Sequence, residues 1–305
     1  MADNDDIPFN RDFPLKSGVV EQVRPGVRRV LCNNPSPFTF TGTVSYIVGE
    51  GKVAIIDPGP DDEAHAKALL DAVKGETVTH ILVTHTHRDH SPNTPRIKAA
   101  TGAPVYAEGP HRASRPRFES EKHNPESGAD RDFRPDVEVK HGDVIEGAGF
   151  ALEAVATPGH TANHLAFAWT ERSINFVGDH VMGWSTTVVA PPDGKMRDYM
   201  ASLDAVIARD FASIWPTHGP PITEPKPFLR AYRAHRLERE AQVLARLKAG
   251  DQTIAEMTPI LYATVDRRLW PAASLSVLAH LIKLVEDGVA AASPGPEMGA
   301  TFRLV

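Results

Sequence analysis

The sequence of 305 residues contains a single cysteine, Cys32, and this scarcity excludes two kinds of site. An intrachain disulfide cannot form, and a zinc site made of several cysteines is not available. The sequence also lacks a run of 18 or more apolar residues, which predicts that no helix spans a membrane. The acidic start, MADNDDIPFN, lacks the apolar segment of a secretory signal. We therefore expect a cytoplasmic protein.

An excess of positive charge is missing as well. The formal net charge is −6, which does not indicate a globally basic nucleic-acid-binding protein. Hydrophobic residues make up 41% of the chain and charged residues 24%, values typical of a globular protein with a substantial core. The length suits one large domain or two smaller ones.

Histidine, by contrast, is concentrated in one short segment, THTHRDH, at residues 84–90. The apolar, β-branched run before it predicts a buried strand from residue 78. A hairpin at 41–60 and a helix at 61–75 are predicted ahead of that strand, and a helix at 91–102 follows the histidines. The cluster therefore begins where a strand ends, which places it on a rigid base rather than in a loose surface loop.

Three more polar side chains follow apolar runs in the same way. His160 comes after FALEAVA and a Thr-Pro-Gly turn, Asp179 comes after INFVG, and His218 comes after FASIWP. One histidine at a strand end is usually structural. Four strand ends that converge on imidazole and carboxylate groups predict a metal centre instead.

The residue types favour zinc, which takes nitrogen and oxygen ligands and keeps one position open for water at catalytic sites. Two ions can be held by the following sets: His85, His87 and His160 for the first, Asp89, His90 and His218 for the second, and Asp179 as the bridge between them. Zinc lowers the pKa of bound water to about 7, so a hydroxide held between two ions would be the nucleophile at neutral pH. Iron or manganese remains an alternative to the two Zn²⁺ ions.

These residues lie in five blocks, IIDPG, HTHRDH, TPGHT, VGDH and THGP, whose order and residue types resemble the metallo-β-lactamase superfamily over about residues 18–222. The resemblance implies an α/β protein with an αββα sandwich and a two-metal site at one edge. It also implies that Asp57 hydrogen-bonds ligand imidazoles or loop backbone. Asp89 would both bind metal and organise the nucleophile.

Two histidines, His164 and His180, lie close to predicted ligands in the sequence. Structural packing is the favoured interpretation, and the alternative is proton donation to the leaving group. The segment after Asp179 is predicted to form a wall of the site, with Ser185, Thr186 and Tyr199 as candidate substrate contacts. Three further histidines are predicted to be solvated: His65, His111 and His123.

The segment 108–136 is long, charged and rich in proline and glycine, and it begins one strand after the histidine cluster. Loops of this length are uncommon unless they are functional or disordered. Arg112, Arg115 and Arg117 are therefore candidates for binding an anionic substrate, and a solvated loop is the alternative.

The chain after residue 224 predicts three helices and a hairpin, which resembles a winged helix. We expect a catalytic domain at 1–224 and a small winged-helix-like α+β domain at 225–305. The second part holds 11 Lys/Arg and 8 Asp/Glu, so it is only mildly basic. Packing against the catalytic domain is therefore favoured over nucleic-acid binding.

The domain pair resembles the beta-lactamase-like branch that includes a mitochondrial single-strand endoribonuclease. The segment HRDHSPN departs from the pattern more usual in that branch, because Pro92 and Asn93 stand where two glycines would be. The candidate ligands are unaffected, but the departure leaves the shape of the adjacent loop undetermined, and with it the identity of the substrate.

Two hypotheses follow. The first is a binuclear zinc hydrolase that acts on an ester-like bond: a thioester, a lactone or an RNA phosphodiester. Its partner would be a small acyl substrate or single-stranded RNA, with no membrane, and a homodimer is compatible with the sequence. The second is a winged-helix nucleic-acid-binding protein with a non-catalytic metal domain. The complete ligand set favours the first.

Overall fold

A computed structural model describes residues 7–118, 121 and 128–305. The prediction for His123 lies outside these residues, as does part of the predicted loop at 108–136. The elements that position the candidate site are two β-sheets with helices on their outer faces.

The seven strands of the first sheet lie in sequence order, so each strand pairs with the next one along the chain. They are β1 (Val20–Arg24), β2 (Val27–Leu31), β3 (Val44–Glu50), β4 (Lys52–Ile56), β5 (Thr77–Leu82), β6 (Val105–Ala107) and β7 (Val137–Glu138). Strands β1 to β4 are antiparallel, and β4 to β7 run parallel. The hairpin predicted at 41–60 is confirmed as β3 and β4, which pair across Gly51.

The second sheet has five strands in the order β12-β11-β10-β9-β8. They are β8 (Val144–Gly147), β9 (Phe150–Ala156), β10 (Leu165–Trp169), β11 (Ile174–Gly178) and β12 (Ser213–Pro216). Only the β11–β12 pair in this sheet is parallel. Strands β10, β11 and β12 are buried along their whole length, as expected of strands covered on both faces.

The two sheets pack face to face around a core that includes Tyr46, Phe167 and Phe176. Burial of side chains of this size stabilises the fold by about 1.5–3 kcal/mol each. Helices α1 (Glu63–Ala72) and α2 (Thr94–Thr101) cover the outside of the first sheet. Helices α3 (Met196–Ala208) and α4 (Pro225–Ala249) cover the second. The predicted αββα arrangement is confirmed.

The C-terminal part contains α5 (Ile254–Leu261), α6 (Trp270–Glu286), β13 (Ala290–Ser293) and β14 (Thr301–Leu304). Thr253 and Glu256 form a reciprocal capping box at the start of α5. The two strands form the predicted antiparallel hairpin. Three helices followed by this hairpin confirm the winged-helix expectation.

The long helix α4 joins the two parts of the chain. Its first half places Phe228 and Tyr232 in the core beneath the second sheet. Its second half places Val243 and Leu247 in the core of the winged helix. The boundary predicted at 224/225 stays a prediction. The first half of α4 packs with the catalytic domain although it lies after that boundary.

The sequence expectation about membranes needs one correction. Helix α6, with the short 3₁₀ turn before it, is long and apolar enough to cross a membrane by length and composition. Eight of its side chains are buried within the protein, several of them against α4, α5 and the hairpin. This burial is typical of a core helix in a globular domain.

Candidate metal centre

The candidate ligands come together at one edge of the sandwich because the strands before them end there. The loop after β5 carries His85, His87, Asp89 and His90. The loops after β9, β11 and β12 carry the other three: His160, Asp179 and His218. All seven residues named from the sequence fall into two adjacent groups.

The first group consists of imidazoles. His85 Nε2 lies 3.1 Å from His87 Nδ1, and His160 Nε2 lies 3.0 Å from the same His87 atom. His85 is 1% and His160 8% exposed, so water has little access to these nitrogens. Three ring nitrogens therefore face one small volume.

The second group combines imidazoles with carboxylates. Asp89 Oδ2 lies 3.4 Å from His90 Nε2 and 3.1 Å from His218 Nε2. Asp179 Oδ1 lies 3.3 Å from His218 Nε2. Asp89 has the most exposed side chain of this group, at 26%, so it marks the side that faces water.

Asp179 lies between the two groups. Its Oδ2 is 3.5 Å from His90 Nε2 in the second group and 3.6 Å from His160 Nε2 in the first. Thr217 Oγ1 donates a hydrogen bond of 3.0 Å to the other carboxylate oxygen and holds its orientation. This position is the one expected of a side chain that contacts two ions.

Each imidazole of the centre is anchored through the nitrogen that points away from it. The partners of these nitrogens are Thr84 Oγ1 for His85, Asp193 for His87, Asp57 for His90, the Val188 carbonyl for His160 and the Gly42 carbonyl for His218. A carboxylate or carbonyl can only accept, and the Thr84 hydroxyl gives its proton to Asp57, so it accepts from His85. The outer nitrogen of each ring therefore carries the proton. The inner nitrogen of a neutral ring is then a bare lone pair, as a metal ligand requires.

This arrangement tests whether the residues fit a cation. Lone pairs of His85, His87 and His160 would face each other at 3.0–3.1 Å with no proton to share. His90 Nε2 is likewise buried without a hydrogen-bond partner in the described structure. Two ligands about 2.1 Å from a tetrahedral ion lie about 3.4 Å apart, close to the separations found in both groups. The donor set therefore fits metal ions with a preference for nitrogen and oxygen.

The electrostatics of the two groups differ. Burial lowers the pKa of His160 to about 4 and, together with neighbouring imidazoles, lowers the pKa of His85 well below its usual range. In the second group the effect of burial is outweighed by Asp179 and Asp89, which raise the pKa of His218 to about 10. At His87, in the first group, the effect of burial is outweighed by Asp193, which raises the pKa of that ring. Burial thus favours neutral rings at His85 and His160, whereas the carboxylates of the second group stabilise positive charge. A metal ion bound in the second group would displace the protons from its imidazoles.

Asp57 supports the centre from beneath. Its backbone has a φ of +50°, a conformation rare for residues other than glycine. Thr84 holds it there by donating to both carboxylate oxygens, from its backbone N–H and from its hydroxyl, each at 2.7 Å. His90 Nδ1 lies 3.1 Å from Asp57 Oδ2. Asp57 thus contacts a ligand imidazole and the loop backbone, the two roles that the family resemblance implies.

The prediction that His65 is solvated is wrong. The side chain is 3% exposed because α1 turns His65, Ala66 and Leu69 toward the sheet. Its Nε2 lies 2.8 Å from Ser45 Oγ, which in turn donates to the Asp57 carbonyl at 2.5 Å. Burial lowers the pKa of His65 to about 4. His111 is half-buried rather than solvated, and its Nδ1 lies 3.1 Å from Thr86 Oγ1.

Three candidate substrate contacts lie inside the protein. His164 Nδ1 contacts Thr157 Oγ1 at 2.8 Å, and its Nε2 accepts from the Asp179 backbone N–H. His180 is fully buried. The Tyr199 hydroxyl donates to the His180 carbonyl at 2.8 Å. Their burial argues against substrate contact in this conformation and favours packing for His164 and His180.

Two glycines allow the ligand loops to approach their neighbours. Gly159, just before His160, has a φ of +135°, and a Cβ there would lie 2.3 Å from the backbone of Tyr199. Gly178, just before Asp179, has a φ of +52°, and a Cβ there would lie 2.7 Å from Thr84 Oγ1. Any side chain at either position would displace a ligand loop.

Asp193 is a functional candidate that sequence reasoning missed. Its Oδ2 lies 3.1 Å from His87 Nε2, and the residue is 5% exposed. It lies far along the chain from His87 and follows no strand. The only local signal is the PPDG turn, which does not indicate contact with a ligand.

The arginines predicted to bind an anion are largely occupied. Arg112 pairs with Glu108 and also donates to the Ala162 carbonyl at 3.0 Å. Arg115 pairs with Glu121 through both of its terminal nitrogens. Charge is therefore neutralised locally at these two positions. This part of the loop offers less to an anionic substrate than its composition indicates.

A buried two-part cluster of imidazoles and carboxylates at the edge of an αββα sandwich defines a class of metal-binding hydrolases. Comparison with known proteins agrees with this class. Residues 38–218 match the model of the metallo-beta-lactamase superfamily, and residues 253–295 match the beta-lactamase associated winged helix domain. The chain belongs to the metallo-beta-lactamase superfamily.

Relatives share both parts of the chain. A "Beta-lactamase-like protein 2 homolog" of Caenorhabditis elegans is 30% identical over 88% of this chain and 88% of its own length. A protein of Paecilomyces divaricatus named as an atrochrysone carboxyl ACP thioesterase is 30% identical over 88% of this chain and 82% of its own. The fold matches a beta-lactamase domain protein from Burkholderia ambifaria with a TM-score of 0.80 at 20% identity, over 100% of this chain and 99% of the other.

Proposed function

We propose that this protein is a two-metal hydrolase that cleaves an acyl bond, with a thioester as the preferred substrate and lactones and simple esters in the same class. The observation that carries the proposal is the anchoring of all five imidazoles, which turns their free nitrogens toward two adjacent positions with Asp179 between them. The likeness to a relative named as an ACP thioesterase supports the choice of bond.

The metal ions proposed are two Zn²⁺, because the donors are imidazole and carboxylate without sulfur, and iron or manganese is the alternative. His85, His87 and His160 would hold one ion, Asp89, His90 and His218 the other, and Asp179 both. Bound there, the ions would supply an activated water at neutral pH and positive charge for the developing oxyanion.

The chain's own residues position and deprotonate the attacking water. Asp89 uses Oδ2 for its contacts with His90 and His218, and its side chain is the most exposed of the second group, so Oδ1 would be the oxygen that accepts a proton from that water. Asp57 and Thr217 keep His90 and Asp179 fixed while this occurs. Fixed groups cost no reorganisation at the moment of reaction.

No cysteine competes for the role of nucleophile. Cys32, the only cysteine, is fully buried. Burial and the neighbouring Asp62 raise the pKa of its thiol to about 12, so the thiolate needed for attack does not form near neutral pH.

Single-stranded RNA is the second candidate substrate, and the winged-helix domain is the observation that favours it. Binding to a polyanion needs several phosphate contacts and falls steeply with salt. The net charge of −6 and the mildly basic C-terminal part weigh against an extended phosphate-binding groove. A winged-helix nucleic-acid-binding protein with a non-catalytic metal domain is less favoured than either hydrolase, because the candidate ligand set is complete.

The experiment measures bound metal and hydrolysis in the same preparation. Protein reconstituted with zinc is assayed for metal content and for turnover of S-acyl-N-acetylcysteamine thioesters, a lactone and an end-labelled single-stranded RNA at several salt concentrations. Two equivalents of zinc and salt-insensitive thioester hydrolysis are expected. Two equivalents of zinc with cleavage of RNA alone would contradict the proposal, as would absence of bound metal.

A further inference from the structure

A second feature of the molecule lies beside the metal centre. A cavity of 540 Å³ opens between the catalytic domain and the winged helix, bounded by residues 184–188 on one side and by α4, α5 and α6 on the other. Its volume falls in the range of pockets that hold one small molecule.

The lining of this cavity is positively charged. Arg11, Arg236 and Arg239 contribute this charge, and no Asp or Glu lines the cavity among the described residues. His235 also lines it, but burial lowers the pKa of its ring to about 4, so the ring is neutral near pH 7. The chain as a whole carries a net charge of −6, so this sign is the reverse of the average surface. Charge of one sign in a recessed site concentrates ligands of the opposite sign.

Arg236 is the most informative of these residues. It is 4% exposed, and an arginine keeps its charge even when buried. One terminal nitrogen donates to the Thr187 carbonyl, and the guanidinium lies 5.2 Å from the ring of Tyr199 and 5.7 Å from that of Tyr232. Its Nε–H has no hydrogen-bond partner, and no carboxylate pairs with it in the described part of the chain.

A second arginine on the same helix, the half-buried Arg239, also lines the cavity. Arg239 donates to the Leu261 carbonyl at 2.8 Å and lies 4.4 Å from the Tyr262 ring, again without a carboxylate partner within the described ranges. A buried cation with an unused donor is costly unless an anion pairs with it. Arg236 meets both conditions, and Arg239 adds a second guanidinium without a carboxylate partner at the same cavity.

The cavity wall is also the wall of the metal centre. Val188 lines the cavity, and its carbonyl accepts a hydrogen bond of 2.6 Å from His160 Nδ1. Trp184 lines the cavity too and packs against Gly219, the neighbour of His218. Val188 thus contacts a candidate ligand of the first group, and Trp184 contacts the chain next to a candidate ligand of the second. This shared wall places the cavity beside the candidate metal centre.

We infer that this cavity binds the anionic end of a small acyl substrate, with Arg236 and Arg239 as the residues that recognise its carboxylate or phosphate. This inference rests on the proposed acyl hydrolysis and names the substrate class: acyl esters or thioesters that carry a negative charge away from the bond that is cleaved. A guanidinium recognises carboxylate and phosphate through the same paired donors.

The spacing of apolar residues along α4 indicates that Arg236 faces the core, although the arginine content of the helix alone does not. The buried positions of α4 include Leu229, Tyr232, Val243 and Leu247, and residue 236 falls on the same face. An arginine at a core-facing position of a helix needs a partner. Arg112 and Arg115, in the loop after β6, instead pair with glutamates nearby in the sequence.

The first test is kinetic and uses the zinc-loaded full chain. The anionic ester mono-4-nitrophenyl glutarate is compared with the neutral ester 4-nitrophenyl butyrate. Wild-type protein is expected to prefer the anionic ester. Arg236→Gln and Arg239→Gln are each expected to lower kcat/KM for the anionic ester by about 10- to 100-fold and for the neutral ester by less than about 3-fold. Arg233→Gln is the matched control, because Arg233 lies on the same helix and pairs with Asp204 outside the cavity.

The second test separates binding from catalysis. Calorimetry measures the binding of 4-(4-nitrophenoxy)butanoate, an ether with a carboxylate and no cleavable acyl bond, against the neutral 4-(4-nitrophenoxy)butanol. Binding of the carboxylate that weakens in Arg236→Gln, whose thermal unfolding is checked alongside, supports the anion site even if no ester is hydrolysed. In that case only the proposed hydrolysis fails.

Three results would overturn the inference. The first is that the wild-type protein cleaves the two esters with equal kcat/KM, which would show that it has no preference for the charged ester. The ether can bind with the same Kd in wild-type and folded Arg236→Gln protein, which places its carboxylate elsewhere, for example at the metal ions. Single-stranded RNA, rather than the small anions, can be the only ligand whose binding depends on Arg236 and Arg239. That result assigns the cavity to nucleic acid.

Discussion

The two groups of the candidate metal centre are both suited to hold a cation, but they differ in charge. The first group presents three imidazoles, and the second presents two imidazoles with Asp89 and Asp179. A metal ion in the second group would be attracted by full negative charges. A metal ion in the first would be held by lone pairs whose direction depends on outer hydrogen bonds. The first group should therefore be more sensitive to changes in its supports, and the second to changes in its carboxylates.

Asp179 is where the two groups meet, so its loss should have the largest effect. Asp179→Ala removes the oxygen that lies 3.5 Å from His90 Nε2 and 3.6 Å from His160 Nε2. We expect metal content to fall well below two equivalents and kcat/KM for the best acyl substrate to fall by at least about 10³-fold. Metal analysis and kinetics on the same sample measure both. Asp198→Asn, a change to the exposed carboxylate of α3, is the control that should keep both values.

Removal of one imidazole from each group sharpens the difference between them. His160→Ala leaves the first group with two rings and no carboxylate of its own, whereas His218→Ala leaves Asp89, His90 and Asp179 in the second. Competition with a chromophoric chelator should resolve two zinc affinities in the wild-type protein. We expect His160→Ala to weaken one of them more than His218→Ala weakens the other. Equal losses would mean that the charge difference does not govern affinity.

The convergence of the candidate histidine and aspartate ligands was predictable because each follows the end of an apolar strand, a pattern that is local in sequence. The strands, the helices around them and the hairpins follow from the same local periodicity. Asp193 and the burial of His65 were not predictable in this way, because each depends on a contact between residues distant in the chain. The arginines show a different limit. The glutamates that occupy Arg112 and Arg115 lie within a few residues, yet only the fold shows that they pair.

Asp193 offers a test of the first group alone. Asp193→Ala leaves the outer nitrogen of His87 without its acceptor, so the ring loses its fixed orientation. Zinc affinity of the first group is expected to fall by about 10- to 100-fold, while that of the second stays within about 3-fold. Asp193→Asn keeps an acceptor without the charge and should lie between wild type and Asp193→Ala. A shift of similar size in the second group would show that the two halves are not independent.

The smallest expected effect concerns His65, which supports the Asp57 turn beneath the second group. Its pKa is about 4 in the folded protein, against about 6.5 for an unperturbed histidine, because burial disfavours the charged ring. The unfolded chain therefore binds more protons between these values, and stability should fall as pH drops from about 6.5 to about 4. His65→Gln removes this contribution, so its loss of thermal stability over that interval should be smaller than in the wild-type protein, although its stability at pH 7.5 is lower. Thermal unfolding followed by circular dichroism at intervals of half a pH unit measures the two slopes. Parallel slopes would mean that other buried histidines, such as His164 and His180, account for the whole pH dependence, and that His65 acts on the centre through geometry alone.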